Sequence, residues 1–167
     1  SILKNTTNVN NCYVVDISDK ALEISKINIK KYNLENKIKQ ICWDLLNIFL
    51  EKNNKNSFSE YKLHQNIVIT ANLPYIKNLD FENMDNETIK YEPNLALYWW
   101  KKTWFELYEK LIKQSIKLKK TYKIKKIILF IEIWFDQKEY SENFLNKLNL
   151  KFEIFKDNWW IDRCIKI

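Results

Sequence analysis

Asn72-Leu73-Pro74-Tyr75 closes a short apolar run and carries the residue types best suited to chemistry in this chain. The run Ile67–Thr70 predicts a buried strand that stops before the proline. Asn72 supplies an amide oxygen, and Pro74 favours an extended conformation at Leu73, which holds the Leu73 carbonyl in place. Two such acceptors can bind one planar NH2 group, and Tyr75 adds a flat face beside it. A proline turn with a capping asparagine explains the same four residues equally well.

Two carboxylates occupy similar positions earlier in the chain, because Asp16 and Asp44 each follow a short apolar run. Parallel strands place their carboxyl ends at one edge of a sheet, so we expect Asp16, Asp44 and Asn72 to line one edge of one sheet. A carboxylate after such a strand can pair with ribose hydroxyls, and Asp44 with Leu45 is placed to cover an adenine. Each aspartate alone is explained as a helix N-cap. Together the three positions favour a nucleoside-type cofactor.

The elements that must position these residues alternate between strand and helix. Strands are predicted at 12–16, 38–41, 66–70, 127–133, 150–155 and 163–167, with helices at 19–32, 103–119 and 137–148. This order predicts an α/β, Rossmann-like fold with a mostly parallel sheet and an antiparallel C-terminal hairpin. At 167 residues the chain fits a single domain, 1–167.

Composition indicates a globular protein, with 46% apolar and 15% aromatic residues. No apolar run approaches the roughly 20 residues that cross a bilayer, and a signal-peptide pattern is absent, so a cytoplasmic protein without membrane contact is predicted. Cys12, Cys42 and Cys164 sit singly, without Cys-x-x-Cys or a nearby histidine. We therefore expect buried thiols and no metal site.

The net charge of +7 would ordinarily indicate an acidic partner such as nucleic acid. The positive charge is almost all lysine, with Arg163 the only arginine, and asparagine and isoleucine are also abundant. These three residue types have A/T-rich codons, so mutational bias in the genome explains the excess. The lysines are also scattered over predicted helix faces and loops, which is typical of a solvated surface.

Five stretches of the chain resemble the HemK/PrmC family. They are Val15–Leu22, Asp44–Leu46, Asn72–Ile76, Tyr91–Leu97 and Asp162-Arg163, and together they span nearly the whole chain. Members of this family are S-adenosylmethionine-dependent methyltransferases that modify the glutamine side-chain amide in the Gly-Gly-Gln motif of peptide-chain release factors. The Asn-x-Pro-Tyr motif is shared with adenine-N6 methyltransferases, whereas the Glu-Pro-x-Leu-Ala-Leu stretch is much more specific.

On the cofactor side, the resemblance implies that Asp16 binds the ribose of S-adenosyl-L-methionine and that Asp44 with Leu45 flanks its adenine. It also implies that Asn72 borders the cofactor. The family's Gly-rich loop and the strand before it do not occur in the printed sequence. We therefore expect an N-terminally truncated methyltransferase domain that is inactive by itself.

On the substrate side, the resemblance implies that the Asn72 side-chain oxygen and the Leu73 carbonyl accept hydrogen bonds from the glutamine amide. Pro74 and Tyr75 then shape the slot. An amide nitrogen is a poor nucleophile, and holding both of its N–H groups orients it for in-line transfer. The family usually has proline in place of Leu73, but the group concerned is a backbone carbonyl. The implied partner is a class I peptide-chain release factor, with no direct nucleic acid required.

The chain contains seven tryptophans and no glycine. Against the family pattern, the tryptophans stand where glycine is usual or well tolerated: Trp43, Trp99, Trp100, Trp104, Trp134, Trp159 and Trp160. We hypothesise that the source genome reads UGA as glycine and that the sequence was translated with UGA as tryptophan. A tryptophan-rich core and aromatic stacking on exposed bases are the alternatives. UGG codons at these positions would rule the hypothesis out.

Two other functions stay open at this point. An adenine-N6 methyltransferase acting on RNA or DNA would use Asn72 and Tyr75 to hold a flipped base. A non-catalytic nucleic-acid-binding module would instead stack exposed tryptophans on single strands. Methyl transfer to a release factor distinguishes the glutamine methyltransferase from both.

Overall fold

The structure is a computed structural model that describes residues 11–51, 63–74 and 105–167, together with residues 3, 5, 6 and 9. The chain divides into two compact units, Ser1–Lys62 and Leu63–Ile167, each considered by itself below. The single domain over 1–167 stays a prediction. Several residues singled out in the sequence lie outside the described ranges: Tyr75, the stretch Tyr91–Leu97, Trp99, Trp100 and Trp104.

The first unit is built on a β-α-β arrangement. Strand β1 (Cys12–Asp16) pairs in parallel with strand β2 (Ile38–Cys42). Helix α1 (Asp19–Lys31) connects them, because two parallel strands need a crossover that returns the chain to its starting end. A short 3-10 helix at Asn47–Phe49 follows β2 and contributes two buried apolar side chains.

In its described residues, 63–74 and 105–167, the second unit is a four-stranded mixed sheet with two helices. Its strands are β3 (Asn66–Ala71), β4 (Lys126–Glu132), β5 (Glu153–Lys156) and β6 (Asp162–Lys166), in the spatial order β3-β4-β6-β5. β3 and β4 are parallel, whereas β6 runs antiparallel to both of its neighbours. Helix α2 (Glu106–Thr121) precedes β4 in the chain, and helix α3 (Lys138–Lys147) follows it. The predicted antiparallel C-terminal hairpin is confirmed.

The core of the second unit lies between α2, α3 and the sheet. Helix α2 buries Tyr108, Leu111 and Ile112, whose spacing of three and four residues puts them on one helix face. Ile131 of β4 is also fully buried. Burying each large apolar side chain contributes about 1.5–3 kcal/mol, so this face anchors the helix to the sheet.

Four rings form an aromatic cluster that joins the start of α2 to α3. The Phe105 ring lies at its centre, with centroid distances of 5.3 Å to Tyr108, 5.5 Å to Tyr140 and 6.1 Å to Phe144. The Tyr140 hydroxyl also donates a hydrogen bond to Glu109 Oε1 at 2.7 Å. Edge-to-face and tilted ring contacts of this kind stabilise beyond the area they bury.

Each of the three α-helices in the described residues is followed by a residue with positive φ, although the chain has no glycine. Asn33 (φ 54°), Lys123 (φ 52°) and Asn149 (φ 53°) follow α1, α2 and α3. The residue after each one donates its N–H to a carbonyl five residues earlier, as Leu34 does to Ile29 at 3.0 Å. This is the Schellman arrangement, which caps the last turn of a helix. Asparagine enters the left-handed region more readily than lysine.

The cysteine prediction is wrong for Cys42, which is exposed, while Cys12 and Cys164 are half-buried. Side chains alternate across a strand, so the burial of Ile41 directs the next residue of β2 to the opposite face. Within the described ranges, no group of histidine, cysteine and carboxylate side chains is arranged to hold a metal ion. None of the helices in that part of the chain has the length and apolar character needed to cross a membrane.

Candidate active site

Asp16 is the last residue of β1, and the start of α1 fixes its carboxylate. Its Oδ1 atom accepts a hydrogen bond from the Ser18 backbone N–H at 2.8 Å. Ser18 in turn caps α1, because its Oγ atom accepts from the Ala21 N–H at 3.3 Å. The carboxylate therefore has a defined orientation at the carboxyl end of the strand.

Asp44 and Leu45 follow β2 and come close to the end of β1. The Trp43 N–H donates to the backbone carbonyl of Asp16 at 3.0 Å, so the parallel pairing continues one residue past β2. Leu45 adopts φ 51°, a conformation that costs about 1–2 kcal/mol in a residue other than glycine. The Asn47 N–H donates to the Asp44 carbonyl at 3.2 Å and closes this turn. The structure thus brings Asp16 and Asp44 to the same end of one sheet.

Asn72, Leu73 and Pro74 follow β3 directly in the second unit. β3 ends at Ala71, which lies opposite Ile131 of the parallel strand β4. Asn72 is therefore the first residue beyond the carboxyl end of this strand pair, and its side chain is exposed. The Asn72 amide is therefore exposed at the strand end, and its role in binding stays a prediction.

The described strands form two sheets, one of two strands and one of four. Asp16 and Asn72 belong to different sheets, because β1 is hydrogen-bonded to β2 and β3 to β4. The prediction that Asp16, Asp44 and Asn72 line one edge of one sheet is therefore not confirmed among the described strands, where only Asp16 and Asp44 share a sheet.

Sequence reasoning missed Tyr108 as a residue of this site. The Tyr108 hydroxyl accepts a hydrogen bond from the Leu73 N–H at 3.1 Å and donates one to the Leu73 carbonyl at 3.2 Å. Helical periodicity assigns Tyr108 to the buried face of α2 and nothing more. The available signal was chemical, since a buried tyrosine hydroxyl needs a polar partner.

The hairpin before Ile167 holds a group of ion pairs around the Asp162-Arg163 stretch. Asp162 contacts Lys138 and Lys156, each at 3.0 Å, and Arg163 contacts Asp157 at 3.2 Å. The Arg163 guanidinium also lies 5.2 Å from the centre of the Trp134 ring. These contacts fix the turn between β5 and β6 to the start of α3.

The Asp162 ion pairs predict a specific pH dependence of stability. Hydrogen bonds from Lys138 and Lys156 hold the pKa of the Asp162 carboxyl below its ordinary value. The stabilisation is therefore complete above the unfolded-state pKa of about 3.9 and is lost as pH falls through the lower folded-state pKa. Asp162→Asn should make the fall in unfolding free energy below about pH 4 shallower. Urea unfolding across this pH range measures it, with Glu139→Gln on α3 as a charge control, and superimposable Asp162→Asn and parent profiles would contradict it.

The turn between β5 and β6 contains two of the tryptophans. Trp159 and Trp160 are 83% and 81% exposed, which excludes a core role for both. The Asp157 Oδ1 atom accepts from the Trp159 N–H at 2.8 Å, and the Trp160 N–H donates to the Asp157 carbonyl at 3.0 Å. Trp160 adopts φ 61°, in the region that glycine enters at little cost. Position 160 is therefore consistent with the glycine hypothesis.

The φ angles of this turn predict opposite effects of glycine at two adjacent positions. Trp160→Gly is expected to raise the free energy of unfolding by about 0.5–1 kcal/mol, because relief of left-handed strain exceeds the added chain entropy. Trp159 is not among the residues with positive φ, so Trp159→Gly is expected to lower it. Thermal unfolding of the two matched variants measures the difference, and equal shifts would count against the strain argument.

Among solved structures, the fold is similar to "hMettl16 catalytic domain in complex with MAT2A 3'UTR hairpin 1". The TM-score is 0.54 at 13% sequence identity, and the match covers 99% of this chain and 57% of that chain. Sequence identity this low shows the fold alone. The α/β order, the parallel pairs and the antiparallel hairpin, together with this likeness, define a Rossmann-like methyltransferase fold, as the sequence predicts.

No family model matches the chain. A release factor glutamine methyltransferase of Mycoplasma mycoides is 32% identical over an alignment of 161 residues, and the match covers 94% of this chain and 52% of that protein. The release factor glutamine methyltransferase of Clostridium botulinum is 33% identical over 93% of this chain and 49% of its own length. The chain is thus similar over nearly its whole length to release factor glutamine methyltransferases, which supports the HemK/PrmC family, and it spans about half the length of these relatives.

Proposed function

We propose that this chain forms part of an enzyme that methylates the glutamine side-chain amide of the Gly-Gly-Gln motif in a class I peptide-chain release factor. The observation that carries the proposal is the end of β3, where an exposed Asn72 side chain is followed by a Leu73 peptide held in place by a buried hydroxyl. The names of the relatives support a release factor as the substrate. Because release factors act on ribosomes, the proposed location is the cytoplasm.

The substrate half of the proposal follows from amide chemistry. A primary amide presents two N–H donors in one plane, and the Asn72 Oδ1 atom and the Leu73 carbonyl oxygen are acceptors on adjacent residues. Pro74 restricts Leu73 to extended conformations, so the second acceptor keeps its direction. With both N–H groups held, the amide nitrogen is oriented for in-line attack, and this positioning supplies a large part of the acceleration. Pro74 and Tyr75 are proposed to shape the slot.

The cofactor half of the proposal uses the first unit. When bound, S-adenosyl-L-methionine supplies the electrophilic methyl group. The residues present fit its nucleoside part: we assign the Asp16 Oδ2 atom to the ribose hydroxyls, since Oδ1 is engaged by Ser18. Asp44 and the apolar Leu45 side chain are proposed to flank the adenine. Leu45 has a left-handed backbone conformation. Strained backbone of this type often occurs at binding sites, which supports the assignment of Leu45 to the cofactor.

The ion pairs of the hairpin weigh against the nucleic-acid-binding module. Exposed Trp159 and Trp160 could stack on bases, but such platforms work together with cations that contact phosphates. The neighbouring Lys156 and Arg163 are each paired with an aspartate. The positive groups beside the exposed rings are therefore neutralised within the protein.

Transfer of labelled methyl groups tests the proposal. The longest product of the gene that contains this chain is incubated with labelled S-adenosyl-L-methionine and, separately, a release factor, RNA and DNA. We expect label in the release factor and none when its motif glutamine is replaced by glutamate. Label in nucleic acid alone would refute the proposal in favour of an adenine-N6 methyltransferase. Salt-sensitive RNA binding without cofactor binding would favour the non-catalytic module.

A further inference from the structure

We infer that Tyr108 is a positioning residue whose hydroxyl orients the Leu73 carbonyl toward the substrate amide. The inference rests on the proposed function, which makes that carbonyl one of the two acceptors for the glutamine N–H groups. Tyr108 itself touches neither substrate nor cofactor in this proposal. It acts through the peptide of Leu73.

The two hydrogen bonds of the hydroxyl hold both polar groups of Leu73. Its oxygen accepts from the Leu73 N–H at 3.1 Å, and its hydrogen is donated to the Leu73 carbonyl at 3.2 Å. A carbonyl oxygen has two lone pairs, so one serves Tyr108 and the other is left for a second donor. Rotation of the backbone on either side of the Leu73 Cα atom would break one of these bonds. The direction of the remaining carbonyl lone pair is therefore fixed.

The hydroxyl is held by the protein core, which makes it a rigid support. Tyr108 is 0% exposed and sits in the first turns of α2, 35 residues from Leu73 in sequence. Its ring packs against Phe105, which is also 0% exposed and contacts the α3 rings Tyr140 and Phe144. Burial excludes water that would compete for the hydroxyl and strengthens its hydrogen bonds.

This arrangement assigns Tyr108 a measurable kinetic signature. A support for the substrate amide matters to the release factor and not to the nucleoside cofactor, which is assigned to the first unit. Losing the hydroxyl should therefore lower kcat/KM for the release factor and leave the KM for S-adenosyl-L-methionine unchanged. A purely structural tyrosine would alter both or neither.

Tyr108→Phe in the longest product of the gene tests the inference, because it keeps the ring and removes the hydroxyl. We expect kcat/KM for the release factor to fall about tenfold, the loss typical of one hydrogen bond. Tyr140→Phe is the matched control: it removes another hydroxyl of the aromatic cluster, one bonded to Glu109. Its kinetic constants should equal those of the parent.

A second measurement tests the contact itself. Hydrogen exchange of the Leu73 amide should be faster in Tyr108→Phe than in Tyr140→Phe, because only the first variant loses the acceptor of that N–H. Equal exchange, or equal kcat/KM in the two variants, would overturn the inference while methylation by the parent stands. Failure of the parent to methylate a release factor would instead refute the proposed function, and the inference with it.

Discussion

Asn72→Ala should lower kcat for methyl transfer to a release factor by about 100-fold or more, because one of the two acceptors for the amide is lost. The amide nitrogen can then rotate away from the line of transfer, and one N–H group is left without its partner in the slot. The cofactor residues of the first unit are unchanged, so binding of S-adenosyl-L-methionine is expected to weaken far less than kcat falls.

This prediction can be separated from an effect on folding. Asn72 is exposed and lies beyond the last residue of β3, so its truncation should leave the unfolding midpoint nearly unchanged. Asn66→Ala makes the same substitution at the exposed first residue of the same strand and is the matched control. Single-turnover rates of the two variants measure the effect. Comparable rates for Asn72→Ala and Asn66→Ala would remove Asn72 from the mechanism.

Phe105→Ala is expected to lower the free energy of unfolding by about 3–5 kcal/mol. The Phe105 ring is 0% exposed and contacts three other rings of the aromatic cluster, so its removal leaves a cavity between α2 and α3. The loss would also remove the contact between the Phe105 and Tyr108 rings. A lower free energy of unfolding and weaker hydrogen bonds between Tyr108 and Leu73 should therefore appear together.

Urea unfolding, extrapolated linearly to water, measures this cost. Phe135→Ala is the control, because the Phe135 side chain is 61% exposed and its removal should change stability by no more than about 0.5 kcal/mol. Equal costs for the two phenylalanines would mean that the aromatic cluster does not hold the start of α2 in place.

Hydrophobic patterning was sufficient to predict the strands and α-helices that the structure describes. The strand at 12–16 is found with the predicted bounds, and the helix predicted at 137–148 is observed at Lys138–Lys147. Larger differences occur where the pattern is weak, as at β5, predicted from residue 150 and observed from Glu153. Periodicity reports which face of an element is apolar, and it constrains element ends only through caps and turns.

The candidate site was predictable where it depends on strand ends and not where it depends on distant contacts. The placement of Asp16 and Asp44 at one end of paired strands is confirmed, as is that of Asn72 just beyond β3. Their roles in binding stay predictions. The hydrogen bonds between Tyr108 and Leu73 join residues that are 35 positions apart in sequence. Local propensity and residue spacing do not specify such a pair.

Glycine-free helix ends have a consequence for the denatured protein. Asn33, Lys123 and Asn149 raise the energy of the folded chain by adopting left-handed backbone angles. The same residues sample fewer conformations than glycine once the chain unfolds, so the unfolded ensemble has less entropy to gain. The lower conformational entropy of the unfolded chain therefore offsets part of the strain in the folded chain. A variant with glycine at these turns would have less backbone strain when folded and more conformational entropy when unfolded.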